Sequence, residues 1–302
     1  FIGTYRMKIN FPEKEGFYAL EMPQVYSAYE LYINDKLYLK VGDTHNYKAQ
    51  IQNRCTFFAA SGETYITIAV KDASGIKAGI TSPPTLGKPY SINITRAFKF
   101  LINNFIMTLI FFGALFSLIL AISGKSNYSY MFFFMCLIYA VYLNHPLINL
   151  CFSMGGNFSY VFEYFCTHFV YLMVIMLQNR LCNLNKNVSS ISEICGSVFC
   201  AIAFVYGVFT PYLSAPLCTF LSTLCNVFEW LAAIYLVAIG TYAVFNDIKY
   251  GRIFLFGNVC FAASLLLYII QPLYDSIYTD QSVEMGILTI LGCLYFVYWA
   301  SI

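Results

Sequence analysis

The distribution of charge along the chain constrains its fold more than any other feature. Lys, Arg, Asp and Glu recur every few residues up to Lys99, and 12 of the 17 basic residues lie at or before that position. Beyond it charge is sparse, and apolar runs recur seven times, each about twenty residues long, which is the length an α-helix needs to cross a bilayer. We therefore expect an α+β membrane protein in which residues 1–97 form a polar domain and residues 98–302 form seven transmembrane helices.

Composition supports this division. A hydrophobic content of 59%, with 19% aromatic residues, is typical of integral membrane proteins. Ten of the eleven cysteines lie in or beside the apolar runs, where they are expected to pack rather than to form disulfides or zinc sites. No basic stripe indicates a nucleic-acid partner. We find no Walker loop and no Gly-x-Ser-x-Gly elbow, so we assign these residues no enzymatic activity and no cofactor.

The polar domain has the periodicity of β-strands. Apolar and polar residues alternate in residues 4–10, 29–33 and 64–71. Asn34 and Asp35 predict a two-residue hairpin turn between two of these strands. Several short strands without helical periodicity predict a β-sandwich, and we expect further strands and an export signal to precede Phe1. The residues expected to point inward include Tyr29, Leu31, Ile33, Ile66, Ile68 and Val70.

The apolar runs predict helices whose bounds we estimate as 100–122, 128–150, 160–178, 194–210, 217–245, 253–270 and 284–302. Pro211 and Pro216 mark a tight turn between the fourth helix and the fifth.

Loop charges predict the orientation of these helices. Basic residues follow the first, third and fifth helices, whereas the loops after the second, fourth and sixth contain neither Lys nor Arg. The positive-inside rule then makes the odd-numbered loops cytoplasmic. A multi-pass protein of the cell membrane follows, with an extracytoplasmic N-terminal domain and a cytoplasmic C-terminus. The five basic residues are Lys125, Arg180, Lys186, Lys249 and Arg252.

Four short motifs followed by seven helices resemble a known family. The motifs are Gly3-Thr4-Tyr5-Arg6, Tyr26-Ser27-Ala28-Tyr29, Leu31-Tyr32-Ile33-Asn34 and Val41-Gly42. This arrangement is similar to the bacterial seven-transmembrane receptors with diverse intracellular signalling modules. The resemblance implies an extracytoplasmic jelly-roll sensor of carbohydrates or other small ligands. It also implies a cytoplasmic effector domain beyond Ile302, such as a cyclic-di-GMP cyclase or a histidine kinase.

Ionisable side chains within the apolar runs are the first candidates for a functional role, because each costs about 2.5–3.5 kcal/mol at the centre of a membrane helix. His145 ends the second predicted helix, Glu163 and His168 lie in the third, and Glu229 lies near the middle of the fifth. They are candidates to line a ligand-binding or signal-coupling cavity that opens outward. Interhelical hydrogen bonding that only stabilises the bundle is the alternative. Three amides complete the candidate set: Asn103, Asn104 and Asn226.

Candidate ligand-binding residues also lie in the polar domain. Tyr29 and Tyr32 offer aromatic faces of the kind that stack on sugars, and Arg6 can bind an anion. Ordinary packing against cross-strand neighbours is the alternative explanation for tyrosines at strand positions.

The combined expectation is a receptor that senses an extracytoplasmic small molecule or carbohydrate and signals through the seventh helix to a cytoplasmic effector. The outer loop 271–283 is the expected contact between the β-domain and the helices. We also expect contact with membrane lipid. The sequence leaves open whether the protein forms a homodimer. Two alternatives remain: a transporter or intramembrane enzyme that uses Glu163, His168 and Glu229, or a structural membrane subunit.

Overall fold

The computed structural model describes residues 2–23, 25–72, 79–80, 83–124, 128–152, 156–270 and 282–301. Within them the chain is α+β, and an antiparallel sheet domain precedes seven helices. The strands are β1 Ile2–Asn10, β2 Gly16–Met22, β3 Ala28–Ile33, β4 Lys36–Val41, β5 Arg54–Ala60, β6 Glu63–Lys71 and β7 Thr85–Gly87. The helices are α1 Pro89–Ile122, α2 Ser129–Phe152, α3 Gly156–Leu181, α4 Lys186–Phe209, α5 Ala215–Phe245, α6 Gly251–Ile270 and α7 Ser282–Ser301.

Two antiparallel sheets enclose the core of the N-terminal domain. One has the strand order β1-β6-β3-β4 and the other the order β5-β2-β7. Leu20 and Phe58 from the smaller sheet belong to the same buried cluster as Leu31, Ile66 and Ile68 from the larger one. The predicted alternation in β3 and β6 is confirmed, because every second side chain of these strands is buried. β1 is an edge strand, and its Tyr5 and Met7 therefore remain 42% exposed.

The predicted hairpin turn is confirmed. Ile33 pairs with Lys36, which leaves Asn34 and Asp35 as the two turn residues. Their φ angles of 47° and 63° are both positive, as a type I′ turn requires. Asn34 tolerates this conformation and its side-chain oxygen also accepts a hydrogen bond of 2.8 Å from the backbone N–H of Tyr65. The turn therefore fixes the pairing of β3 with β4 and anchors it to β6.

Gly42 occupies a position at the end of β4 where no side chain fits. Its φ is +74°, and a Cβ atom there would lie 2.3 Å from the carbonyl oxygen of Lys48. Gly62 has a similar φ of +58° but open space around it. An alanine would therefore suffer backbone strain at both positions but steric overlap at Gly42 alone.

We expect Gly42→Ala to destabilise the protein more than Gly62→Ala. The left-handed conformation costs an alanine about 1–2 kcal/mol at either position, and overlap adds about 1–3 kcal/mol at Gly42 alone. Thermal unfolding of the two purified variants beside the wild type measures the difference. Equal losses of stability would contradict the described packing of Gly42 against the backbone.

The largest differences from the helix bounds predicted by hydropathy are at the starts of two helices. The first begins at Pro89 rather than at residue 100, and the fourth at Lys186 rather than at residue 194. Proline suits the first position of a helix because it needs no N–H partner there. The side-chain oxygen of Asn185 accepts a hydrogen bond of 3.1 Å from the N–H of Asn187 and so caps α4. The 34 residues of α1 span about 51 Å, which exceeds the hydrocarbon core of about 30 Å.

The helices α1, α3 and α5 end in the same way. A residue with positive φ follows each of them: Gly124 at 68°, Asn183 at 48° and Asp247 at 48°. After α3, the N–H groups of Asn183 and Leu184 bond back to the carbonyls of Arg180 and Asn179, which is a Schellman motif. Such caps let the chain turn within a few residues. The predicted proline turn between α4 and α5 is confirmed as a short 3₁₀ helix, Thr210–Tyr212.

Within the described residues, three helices are long and apolar enough to cross a bilayer: Pro89–Ile122, Lys186–Phe209 and Pro216–Phe245. Three more apolar stretches are shorter: Ser129–Asn144, Gly251–Leu267 and Gly286–Tyr298. Large apolar side chains stay exposed on the long helices, among them Leu101, Phe105 and Ile234. A surface of this kind indicates association with a membrane. That the chain crosses the membrane seven times is a proposal based on the hydropathy of the sequence.

The chain divides into two compact units. The first, the sheet unit, comprises Phe1–Phe112, Tyr139–Cys166 and Phe204–Phe220. The second, the helical unit, comprises Gly113–Ile138, Thr167–Ala203 and Leu221–Ile302. The sheet domain therefore belongs to the same unit as the beginnings of α1 and α3.

Candidate functional site

A hydrogen bond inside the sheet unit joins the sheet domain to helix α3. The hydroxyl of Tyr26 donates to a carboxylate oxygen of Glu163 at 2.5 Å. Tyr26 lies between β2 and β3 and is only 7% exposed, whereas Glu163 belongs to α3 and is half-buried. A hydrogen bond to an ionised group is shorter and stronger than one between neutral groups. We call this contact the Tyr26–Glu163 junction.

Packing fixes both partners of the junction. Val25 and Ser27, which flank Tyr26 in sequence, are fully buried. Next to Glu163, the ring of Tyr164 meets that of Tyr206 edge-on at a centroid distance of 5.5 Å. The junction therefore connects two ordered segments rather than two free side chains.

A second tie joins the smaller sheet to the beginning of α1. Arg96 lies 3.4 Å from a carboxylate oxygen of Glu21 in β2. Ile92, one turn earlier in α1, is buried, and a Cβ atom on Gly87 of β7 would lie 3.3 Å from its side chain. The thiol of Cys55 in β5 lies close to Arg96 and Glu21, and burial raises the pKa of this thiol. The helix therefore begins directly against β2 and β7.

Arg6 and Tyr32 lie in one row on the outer face of the larger sheet. Both residues pair with Thr67 of β6, Arg6 from one side and Tyr32 from the other. The guanidinium of Arg6 lies 4.8 Å from the centroid of the Tyr65 ring, which is a cation–π arrangement. The hydroxyl of Tyr32 donates to Glu30 at 2.6 Å. We call these residues, Arg6, Glu30, Tyr32, Tyr65 and Thr67, the sheet face.

Tyr29 lies on the opposite side of β3 from Tyr32. It is fully buried in the core of the domain, and burial raises the pKa of its hydroxyl. Among the described residues, this hydroxyl has no hydrogen-bond partner. The structure thus brings Arg6 and Tyr32 together and places Tyr29 where its ring presents no face to solvent.

Glu30 is the charged centre of the sheet face. Its carboxylate accepts hydrogen bonds from Tyr32 and, at 2.8 Å, from Thr44, and it lies 3.3 Å from the ammonium of Lys40. The bond from Tyr32 is the largest of the effects that lower the pKa of Glu30, with smaller contributions from Thr44 and Lys40. In return, Glu30 raises the pKa of Tyr32.

The lowered pKa of Glu30 predicts a loss of stability in acid. A carboxyl whose native pKa lies below its ordinary value of 4.5 stabilises the fold above that value and ceases to do so as the pH falls through the native pKa. Glu30→Gln should therefore flatten the dependence of the unfolding temperature on pH between about pH 3 and pH 6. Glu13→Gln, which alters an exposed loop carboxyl, is the matched control. Identical pH profiles of the two variants would contradict this role of Glu30.

The remaining candidates differ in their surroundings. His168 is fully buried in the helical unit, and its ring stacks on Phe228 at a centroid distance of 5.8 Å. Glu229, the next residue after Phe228, is half-buried. His145 belongs to α2, but its side chain lies outside the described residues. Asn104 donates to the carbonyl of Phe100 in its own helix, while Asn103 and Asn226 are exposed. The predicted contact loop 271–283 lies largely outside the described residues.

Two buried polar clusters in the helical unit were missing from the sequence prediction. Gln178 of α3 and Asn258 of α6 form a reciprocal amide pair with bonds of 2.7 and 2.9 Å, and both side chains are fully buried. Beside them, Asn179 donates to Ser192 of α4 at 2.9 Å and lies 2.8 Å from the hydroxyl of Tyr235. These clusters hold α3 to α4, α5 and α6. The only signal in the sequence is the presence of amides next to an apolar run.

No protein-family model matches the chain, and no curated protein matches it. Across the described residues, no group of three or more His, Cys, Asp and Glu side chains is arranged to hold a metal ion.

The junction should contribute measurably to stability. Tyr26→Phe removes one hydroxyl and leaves the Glu163 carboxylate without its bond from Tyr26, which should cost about 1.5–3 kcal/mol for a hydrogen bond to a charged group. Tyr90→Phe, at a tyrosine that is 76% exposed, is the matched control, with an expected change within about 0.5 kcal/mol.

A double-mutant cycle with Glu163→Gln isolates the interaction between the two side chains. In the Glu163→Gln background, Tyr26→Phe should cost only about 0.5–1.5 kcal/mol, because the hydrogen bond that it removes is then a neutral one. Chemical unfolding of the four proteins in detergent gives the values. If Tyr26→Phe costs the same in both backgrounds, the two side chains are not coupled.

Proposed function

We propose that the protein is a membrane signal receptor. Its sheet domain binds an extracytoplasmic ligand, and the junction passes the resulting change to α3 and the rest of seven membrane-spanning helices. The observation that carries the proposal is the 2.5 Å bond from Tyr26 to Glu163. The four sequence motifs that resemble the bacterial seven-transmembrane receptors support the same function.

The sheet face is the proposed ligand site. It combines a guanidinium, a carboxylate and two tyrosines on the outer surface of a sheet, and this chemistry suits the hydroxyls and the apolar ring faces of a carbohydrate. The cation–π contact of Arg6 and the hydrogen bond of Tyr32 hold these side chains in place before any ligand arrives. Such preorganisation lowers the entropic cost of binding.

Strand β3 provides the mechanical path from the ligand site to the helices. It carries Glu30 and Tyr32 and begins at Ala28, two residues after Tyr26. A ligand shifts an equilibrium between two states only by the difference in its affinity for them. A ligand that draws Tyr32 away from Glu30 therefore changes the position of β3 and, through the adjoining segment, the geometry of the junction.

The signal leaves on the opposite side of the membrane. Arg180, Lys186, Lys249 and Arg252 lie at the ends of helices and in the loops after α3 and α5, which supports a cytoplasmic location for these loops. By the family resemblance, α7 leads to an effector domain of the cyclic-di-GMP cyclase or histidine kinase type.

A binding experiment tests the ligand site. The full chain in lipid nanodiscs is applied to an array of oligosaccharides, together with Arg6→Ala, Tyr32→Ala and the control Lys14→Ala, which alters an exposed loop residue. We expect a subset of oligosaccharides to bind the wild type and the control. Arg6→Ala and Tyr32→Ala should each weaken that binding by about tenfold, because a binding interaction worth about 1.4 kcal/mol corresponds to a factor of ten in affinity.

The same complex tests the relay. Binding of the selected oligosaccharide should change amide exchange in the first turns of α3 in the wild type and not in Tyr26→Phe. Absence of binding on the array, or equal binding by all variants, would contradict the ligand site. Binding without any change in α3 would favour a structural subunit or a transporter.

The proposed topology has a direct test. In a background with the natural cysteines replaced, Lys14→Cys should react with a membrane-impermeant maleimide in intact cells, because the sheet domain is outside. Asn187→Cys, at the exposed start of α4, should react only after permeabilisation, because the positive-inside rule places it in the cytoplasm. The reverse pattern would contradict the orientation.

A further inference from the structure

Two grooves on the surface of the helical unit join where α3 meets α4. The first, the head groove, has a volume of about 350 Å³ and is lined by polar residues that include Arg180, Asn183, Lys186 and Ser189. The second, the tail groove, has a volume of about 470 Å³, and its lining includes Met176, Ile194, Val198 and Ala201. Ser190 and Glu193 line both grooves, so the two are adjacent.

The head groove is positively charged. Arg180 and Lys186 are both exposed, and within the described residues neither forms an ion pair with a carboxylate. One nitrogen of the guanidinium lies 3.3 Å from the sulfur of Met131, which is a weak interaction. Lys186 also opens α4, and the N-terminus of a helix adds positive potential. With Glu193 as the acidic group, the groove keeps a net charge of +1.

The tail groove runs along apolar surface that the described residues leave uncovered. Of the three long apolar helices, α4 has the smallest buried share. Ile194 and Val198 of this helix are more than half exposed. α3 and α4 pack closely behind the groove, because a Cβ atom on Gly196 would lie 2.9 Å from the side chain of Leu172.

From this arrangement we infer that the α3–α4 turn is a binding site for an anionic glycerophospholipid. Arg180 and Lys186 bind its phosphodiester, and one acyl chain lies in the tail groove. The basic head groove suits the phosphate of such a lipid, and the apolar tail groove suits an acyl chain. A soluble anion has no apolar chain to occupy the tail groove. The site depends on membrane association alone and is independent of the proposed receptor function.

Native mass spectrometry of the full chain, released from detergent with added phosphatidylglycerol, tests this site. The wild type should retain phosphatidylglycerol and not diacylglycerol with the same acyl chains, which lacks the phosphate. Arg180→Ala with Lys186→Ala should lower retention by about fivefold for each cation removed. Lys249→Ala with Arg252→Ala removes the same charge from the α5–α6 turn, outside both grooves, and should leave retention unchanged.

Glu193→Gln should change the retention of phosphatidylglycerol in the opposite direction. It removes the acidic group of the head groove, so retention of phosphatidylglycerol should rise. If the two double-alanine variants lost equal amounts of lipid retention, the cause would be general surface charge, and the proposed site would be overturned. Equal retention of phosphatidylglycerol and diacylglycerol would overturn it as well, because the phosphate would then play no part. Displacement of the lipid by inorganic phosphate would also overturn it, because the acyl chain would then play no part.

Discussion

Polar side chains that enter an apolar environment need hydrogen-bond partners, and this requirement organises the helical part of the protein. Gln178 and Asn258 satisfy each other, and Asn179 is satisfied by Ser192 and Tyr235. Glu163 differs from these residues, because the N-terminal domain supplies one of its partners through Tyr26. The N-terminal domain therefore contacts a carboxylate of α3 directly, and the proposed relay uses this contact.

The position of Tyr26 in the chain places the junction next to the strand that carries the proposed ligand site. Tyr26 precedes β3, whose outward residues form part of the sheet face and whose inward residues form part of the core. The tie between Glu21 and Arg96 links the other sheet to α1 in a similar way. Two polar contacts thus join the N-terminal domain to helices, one from the segment before β3 to α3 and one from β2 to α1. A polar contact of this kind can be made in one state and broken in another, as the proposed relay requires.

Local patterns were sufficient to predict much of the sheet domain. The Asn34–Asp35 turn, the alternation in β3 and the inward set of β6 all follow from neighbouring residues and were confirmed. Because side chains alternate between the two faces of β3, Tyr29 lies in the core whereas Tyr32 lies on the outer face. The starts of α1 and α4 were wrong because hydropathy detects only the apolar part of a helix, whereas both helices begin with polar turns set by Pro89 and by the Asn185 cap.

The candidate site was less predictable, since it consists of contacts between distant parts of the sequence. Tyr26 and Glu163 are separated by 137 positions, and Gln178 and Asn258 by 80. The sequence indicates that an ionisable residue such as Glu163 needs a partner, but it carries no signal that pairs it with Tyr26. Likewise, Arg6 and Tyr32 become neighbours only through the register of β1 and β3 on Thr67.

Amide hydrogen exchange tests whether the sheet domain and α3 are energetically coupled through the junction. Exchange is measured for the wild type and for Tyr26→Phe in the same nanodiscs. If the two are coupled, Tyr26→Phe exchanges faster in the segment around Val25 and, together with it, in the α3 residues around Glu163. Faster exchange near Val25 with unchanged exchange in α3 would show that the junction does not couple them.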